Sequence, residues 1–364
     1  MKKIGIMTFP YTTNCGAMLQ AYALKMALTK VRDNKFEIVI MNYQNDFMRK
    51  YYRLISIRSV ESLIASMAML PQNVIKKHRY KKFAVEHLFG ADNYKPIKSA
   101  KMLFETLDLV IVGSDQIWNY KITGGDKSFF LDFILDKSKK YSYAASFGYE
   151  DNFDASKDEF LELLSGFDGV SLREPIGYEE ISKQARCVHI HIDPTLLLTA
   201  DEWLKISPKN REDEKYILVY NVLVPTIEQM RKIKELSERS KMKILVLPTG
   251  IRGWLSNVRG RRVPIFSPHD FPSLIANAEY IFTTSFHGVA FSIIFRRKFL
   301  TELNCKENYN YRVEHLLKTL GLEDRAIENF GGDFDATIDW EAVEEKLNTE
   351  RQKSLEYLCG ATDI

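Results

Sequence analysis

A chain of 364 residues, 45% hydrophobic with 22 Phe and 18 Tyr, is too long for one ordinary core and apolar enough to bury two, which excludes a disordered protein. Its 51 basic and 48 acidic residues leave a formal net charge of +3, which makes no case for a nucleic-acid partner. Four cysteines (Cys15, Cys187, Cys305, Cys359) have no paired spacing, which excludes a zinc or disulfide framework and suits a reducing compartment.

The first residues enter a strand without the apolar region or cleavage site of a secretory leader, and no run of about 20 apolar residues follows. The expectation is a soluble, cytoplasmic protein. Lys3–Phe9 predicts a strand, 11–16 a polar turn, Met18–Lys30 a helix with Leu19, Tyr22, Ala23, Met26 and Ala27 at helical spacing, and Phe36–Met41 a second strand. Strand, short loop, helix, strand is the opening of a parallel, doubly wound sheet.

Asp46–His87 differs. It is helical in character, predicted to break at Pro71, and strongly basic, with Arg49, Lys50, Arg53, Arg58, Lys76, Lys77, Arg79, Lys81 and Lys82 against Asp46, Glu61 and Glu86. It is predicted as a helical insertion of about 46–100 in the first lobe. Such a charge run is most often a solvated face; the sharper alternative is peripheral contact with a membrane.

The sheet pattern resumes at Leu107–Val112, a continuous apolar run expected of a strand buried on both faces. Strands follow at Tyr141–Phe147, Gly169–Leu172 and Val188–Ile192, with a helix at Ile176–Lys183. The polar stretch near 199–214 predicts the boundary between lobes 1–200 and 201–364. The second α/β series comprises strands at Tyr216–Tyr220, Lys243–Leu247, Tyr280–Thr283 and Phe299–Leu303. Its helices are predicted at Thr226–Ser240, Phe271–Ala278, Val289–Phe295, Arg312–Leu320 and Trp340–Leu358, the last with Asp339 as N-cap and packing back on the first lobe. The expected fold class is α/β, two Rossmann-like lobes in a glycosyltransferase-B-like arrangement. The active site is expected near strand C-terminal ends in the cleft between lobes.

The strongest local signal is Thr283-Thr284-Ser285-Phe286-His287-Gly288, a buried strand running through a polar turn into an apolar helix. His287 there can move a proton near neutral pH, first-turn N–H groups attract an anion, and Gly288 permits close approach; the plainer reading is a capped core helix. Thr12-Thr13-Asn14-Cys15-Gly16 is a second strand-to-helix turn, offering Asn14 or backbone contacts to substrate or else an ordinary helix start. Ser114, Asp115, Gln116 and Trp118 follow a buried strand. They suit sugar hydroxyls and a stacking ring, with Asp115 as a base, against the alternative of a turn and a buried Trp. Arg173 suits a phosphate or carboxylate, or is surface charge beside Glu174. His189, His191 and Asp193 alternate along a strand; metal ligation is the lesser reading, and a strand running into an Asp-Pro turn the better one.

In order along most of the chain, Asn14-x-Gly16-Ala17-x-x-Gln20-Ala21, Gly113-Ser114-Asp115-Gln116-x-Trp118, Ala144-Ala145-Ser146-Phe147-Gly148, Ser171-x-Arg173-Glu174, Asp193-Pro194-Thr195 and Ser285-Phe286-His287-Gly288 resemble the polysaccharide pyruvyl transferase family. The resemblance implies phosphoenolpyruvate as donor, hydroxyls of an oligosaccharide or lipid-linked glycan as acceptor, and His287 as the catalytic histidine; since that donor carries its own leaving group no redox cofactor is expected, and no metal is expected either. It departs at Ser285, where many members carry arginine, so that role falls to Arg173, Arg312 or the Arg259-Arg261-Arg262 cluster. Expected substrate contacts are Asn14, Gly16, Ser114, Gln116, Trp118, Arg173, Ser285, Gly288 and Arg312. A sugar-nucleotide glycosyltransferase, with Glu302 holding a ribose, and a non-catalytic glycan binder are the competing functions.

Overall fold

The computed structural model describes residues 1–32, 35–51, 67, 69–90, 93–208, 214–249, 258–303 and 310–363. The expectations for Arg53, Arg58, Glu61 and Cys305 lie outside the described residues. The chain divides into two compact units, one of Met1–Leu54, Lys77–Leu198 and Asn348–Ile364, the other of Ile55–Lys76 and Thr199–Leu347.

In the first unit β1 (Lys2–Met7), β2 (Phe36–Ile40), β3 (Leu109–Val112) and β4 (Lys140–Ser142) form a parallel sheet in the order β2-β1-β3-β4. Parallel bridges Tyr141–Gly169 and Ala145–Leu172 carry the sheet on to β5 (Val170–Leu172), which pairs with β6 (Val188–Ile190). β3 is buried along its whole length, as its unbroken LVIV run requires of a strand covered on both faces. Helix α1 (Cys15–Val31) starts at Asn14, whose side chain accepts from the Ala17 N–H, and buries Cys15 through Leu24 without interruption.

Helix α2 (Leu70–Phe83) carries Pro71 in its first turn, so the proline opens this helix where the sequence pattern suggested a break. It continues as a π-helical turn, Ala84–Phe89, which ends at Gly90 with φ 76°. Lys25 Nζ donates to the His87 and Leu88 carbonyls at the end of that turn (3.1 and 2.9 Å).

The second unit holds β7 (Tyr216–Tyr220), β8 (Lys243–Val246), β9 (Arg261–Arg262), β10 (Tyr280–Thr283) and β11 (Lys298–Thr301), all parallel in the order β11-β10-β7-β8-β9. Helix α3 (Ile227–Ser240) packs Ile233 and Leu236 into a core with Ile217, Val219, Phe282 and Leu300. Helix α4 (Phe286–Ile294) is entirely buried and α5 (Tyr311–Leu320) half so. The stretch 199–214 is not all linker. Ala200–Lys205 is a short helix with a capping box in which Thr199 and Glu202 satisfy each other's backbone N–H.

Helix α6 (Trp340–Ala361) begins with Asp339 accepting from the Ala342 N–H (3.0 Å). Its last turns belong to the first unit. There Tyr357 Oη donates to the Ser142 carbonyl (2.9 Å), and Arg32 Nε donates to Thr362 Oγ1 (2.6 Å). The same end of α6 covers His191, whose ring lies 4.7 Å from that of Tyr357 and stacks on Tyr143 at 5.9 Å, with Nδ1 2.8 Å from Ser171 Oγ. The stretch is a strand, Val188–Ile190, running into a turn capped by Asp193, with His191 engaged and His189 exposed.

Burial, reinforced by His189 and Lys353, lowers the His191 pKa to about 3. The native state therefore holds this ring neutral while the unfolded chain protonates it near pH 6.5. The stabilisation is complete above pH 6.5 and is lost as pH falls towards 3, by about 1.4 kcal/mol per unit. His191→Gln is expected to lose about 2 kcal/mol less than the parent between pH 6 and pH 4 in urea unfolding. Equal losses in the two proteins would assign the acid sensitivity to other groups.

Candidate active site

Each sheet has one topological switch point, where the chain leaves one side of its first strand and returns on the other. In the first unit it falls between β1 and β3, and in the second between β7 and β10. Ligands of open parallel sheets bind beyond the carboxyl ends of the strands at such points, because the diverging loops leave a crevice there. The predicted site residues follow these strands: 12–16 after β1, 113–118 after β3, and Thr284–Gly288 after β10.

At the second unit's switch point the polar side chains hold the backbone. Thr283 Oγ1 donates to the Tyr220 carbonyl (2.5 Å) and accepts from Ser285 N–H (3.0 Å). Thr284 Oγ1 accepts from the N–H groups of Val222 and Leu223 (3.0 and 3.1 Å), tying the loop after β7 to the loop after β10. Ser285 is the N-cap of α4, its hydroxyl accepting from Gly288 N–H at 3.4 Å. The helix starts three residues before its predicted first residue, so His287 stands within the first turn. The imidazole is buried but for 7% and meets the Phe286 ring edge-on at 5.3 Å. Gly288 packs against Thr283 so closely that a Cβ there would overlap the threonine side chain.

Two further groups reach this carboxyl edge. Glu302, just past β11, is buried, and its carboxylate accepts both the backbone N–H of Thr226 (3.1 Å) and the Thr226 hydroxyl. It thereby fixes the cap of α3, a structural use of the residue weighed from sequence as a ribose contact. Burial pushes its pKa up, against the opposing effect of Thr226. Asn310 donates its amide to the Leu303 carbonyl and precedes α5, so half-buried Arg312 enters in that helix's first turn, on the chain leaving the same edge.

The first unit's edge is organised around a buried ion cluster. Arg173, after β5, has a side chain 1% exposed, with Nη1 2.6 Å from Asp193 Oδ2, Nη2 3.4 Å from Asp115 Oδ1 and Nε 4.0 Å from Glu174 Oε2. Burial disfavours its charge, but Asp193, Asp115 and Glu174 outweigh that and raise its pKa. Ser114 Oγ donates to Asp193 Oδ2 (3.0 Å), Thr195 donates its N–H and hydroxyl to Asp193 Oδ1 (2.9 and 2.7 Å), and Ser146 Oγ donates to Glu174 Oε1 (2.7 Å). The cluster ties together the ends of β3, β4, β5 and β6. Asp115 stands at φ 77°, a left-handed conformation that is strained for a residue with a Cβ. It is held there by the Gln116 N–H (2.9 Å) and Arg173, both on Oδ1.

These positions revise part of the expected site. Arg173 is neither surface charge nor an open anion ligand, because three carboxylates already surround it. Trp118 is wholly buried, donates Nε1–H to the Phe129 carbonyl (3.0 Å) and stacks on Phe130 at 5.4 Å, so it is a core residue and no sugar platform. Gln116 accepts from Asn119 Nδ2 (2.7 Å), and Ser114 belongs to the ion cluster. Asn14 is exposed beside the switch point and caps α1, while Gly16 is buried in its first turn. Sequence reasoning read Asp193 as a turn residue, left Glu174 as surface charge beside Arg173 and gave Ser146 no role, although all three fall in the quoted motifs and meet in the ion cluster. It passed over Thr284 as a tie between loops, and the only available signal was its place beyond a buried strand.

Comparison with family models matches residues 14–301 to "Polysaccharide pyruvyl transferase". Comparison with curated proteins gives no match. Among solved structures, UDP-GlcNAc 2-epimerase from Neisseria meningitidis bound to UDP-GlcNAc is 13% identical with TM-score 0.48, covering 100% of this chain and 94% of its own. The Methanocaldococcus jannaschii UDP-GlcNAc 2-epimerase is 14% identical with TM-score 0.46, covering 96% and 92%. A glycosyltransferase from Streptomyces nogalater is 10% identical with TM-score 0.41, covering 99% and 98%. Likeness at this level says nothing of substrate.

Proposed function

The chain belongs to the polysaccharide pyruvyl transferase family, and on that premise we propose that it moves a pyruvyl group from phosphoenolpyruvate onto two hydroxyls of a sugar in a cell-surface polysaccharide or its precursor. The observation that carries this reading is the extent of the family match, which runs from the loop after β1 through the histidine turn after β10.

The chemistry balances without a redox partner. A proton adds to the enol methylene of phosphoenolpyruvate, which becomes a methyl group. One sugar hydroxyl adds to the neighbouring carbon, and a second displaces phosphate from it. Of the two hydroxyl protons released, one balances that delivered to the methylene carbon and the other leaves with phosphate. His287 is the proposed general acid, a role its place in the first turn of α4 supports. The first-turn N–H groups and Arg312 are the proposed partners of the donor's anionic groups, since Ser285 caps the helix and Arg173 is enclosed by carboxylates. Asp115, strained and held at Oδ1, is the proposed base for the acceptor, with Asn14 as a polar contact. A cytoplasmic reaction is part of this proposal. No helix among the described residues is long and apolar enough to cross a membrane.

The test is phosphate release from phosphoenolpyruvate with a panel of oligosaccharide and lipid-linked acceptors, alongside release of nucleoside diphosphate from sugar nucleotides. Acceptor-dependent phosphate release with a mass gain of one pyruvate ketal is expected. Nucleoside diphosphate release alone would make the protein a glycosyltransferase, and glycan binding without turnover would make it a binding protein.

A further inference from the structure

Helix α2 differs from α3 and α6 in how its charge is arranged. Its sequence, LPQNVIKKHRYKKF, holds Lys76, Lys77, Arg79, Lys81 and Lys82 and no acid. An ordinary solvated helix intersperses the two signs. In α3, Arg231 pairs with Glu228 (2.7 Å), Lys232 with Glu235 (3.7 Å) and Lys234 with Glu238 (3.7 Å). At the end of α2, Lys82 pairs with Glu86, which lies beyond the helix, at 3.7 Å.

The helix also sorts its residues by face. Lys76, Tyr80 and Phe83, at spacings of four and three, turn inward, with Tyr80 and Phe83 buried and Lys76 half-buried. Pro71, Val74, Ile75, His78, Lys81 and Lys82 recur at three- and four-residue spacings on the opposite side, and all are exposed. Lys77 and Arg79 flank that stripe and are exposed too. Val74 and Ile75 are 48% and 47% exposed among these cations, and Met67, three residues ahead of the helix, is 59% exposed. Cations alone would suit any polyanion. Aliphatic side chains presented to solvent in the same stripe are useful only where the anionic surface has an apolar layer beneath it.

We propose that the outward face of α2 docks on an anionic lipid surface, with Lys77, Lys81 and Lys82 at headgroup phosphates and Val74 and Ile75 seated at the acyl boundary. The surface would bring the enzyme to acceptors carried in a membrane, but the docking claim does not depend on the pyruvyl-transfer reading.

The experiment is co-sedimentation of the full chain with phosphatidylcholine vesicles, with and without phosphatidylglycerol, over a range of salt. Binding that requires phosphatidylglycerol and weakens with salt is expected. Lys77→Glu/Lys81→Glu/Lys82→Glu should lower affinity by about a hundredfold or more, since each reversal replaces attraction by repulsion. Val74→Ser/Ile75→Ser should leave salt-sensitive capture but lose about tenfold in affinity at high salt. Circular dichroism checks that both variants fold. Phosphate release on a soluble acceptor should be unchanged in both, which separates failure of docking from failure of the catalytic assignment. Equal binding to neutral vesicles, wild-type binding by the charge-reversed variant, or retention on a soluble polyanion such as heparin without vesicle binding would each overturn the proposal.

Discussion

His287→Ala is expected to lower acceptor-dependent phosphate release by about a hundredfold to ten-thousandfold, the range over which a positioned proton donor contributes. The expectation rests on the residue's place. It stands within the first turn of a buried helix, beyond the carboxyl end of β10 at the second sheet's switch point, on a backbone held by Thr283, Thr284 and the Ser285 cap. Those ties run through neighbouring hydroxyls and backbone groups of the turn. His287→Gln, which retains bulk and a hydrogen-bonding head, should fold like the parent and be comparably inactive, because an amide cannot deliver a proton at neutral pH. Retention of turnover within a few-fold in both variants, with unchanged binding of phosphoenolpyruvate, would remove His287 from the chemistry.

Arg173→Leu is expected to destabilise the first unit by about 3–5 kcal/mol, because it strands carboxylates in the interior. Asp193 and Glu174 have side chains 0% and 1% exposed, so water cannot replace the guanidinium that lies 2.6 Å from one and 4.0 Å from the other. In the variant, burial without a cation raises the carboxylate pKa values in the folded state above their unfolded values. The folded variant then binds protons that the unfolded chain does not, so the gap to the parent narrows as pH falls through the raised values. Arg173→Lys keeps one charge but loses the planar fork that reaches Asp193 and Asp115 together, and should fall between the two. Urea unfolding at pH 7 and pH 5 measures both effects. Parent-like stability of the leucine variant at pH 7 would show that the cluster does not require its cation.

The same cluster holds the strained Asp115 turn. Loss of activity in Arg173→Lys, with folding intact and a shifted pH profile, would make Arg173 a positioning residue for that carboxylate.

Local order was legible in the chain itself. β10 was predicted with its observed limits because YIFT is an unbroken apolar run closed by a polar turn, and β3 and β7 carry the same signal. Asp339 as a cap, Thr226 at the head of α3, and His287 beyond a buried strand are all decided by neighbours a few residues away. Where the signal was weak, the limits moved. Val289 seemed to open α4 because aliphatic spacing begins there, yet the Ser285 cap starts the helix three residues earlier. β9, only two residues long and built from Arg261 and Arg262, gave no apolar pattern to find.

What the sequence by itself determined was the alternation of strands and helices, the burial of the parallel strands and the placing of polar turns at their carboxyl ends, since all of these follow from side-chain polarity and caps within one or two turns of chain. Which strands lie side by side, and so where each sheet has its switch point, was decided only in three dimensions. So were the enclosure of Arg173 by Asp115 and Asp193, 58 and 20 residues away, and the burial of Trp118 against Phe130. An ion partner or a packing neighbour is selected by the distance between folded elements, and no local spacing encodes that distance.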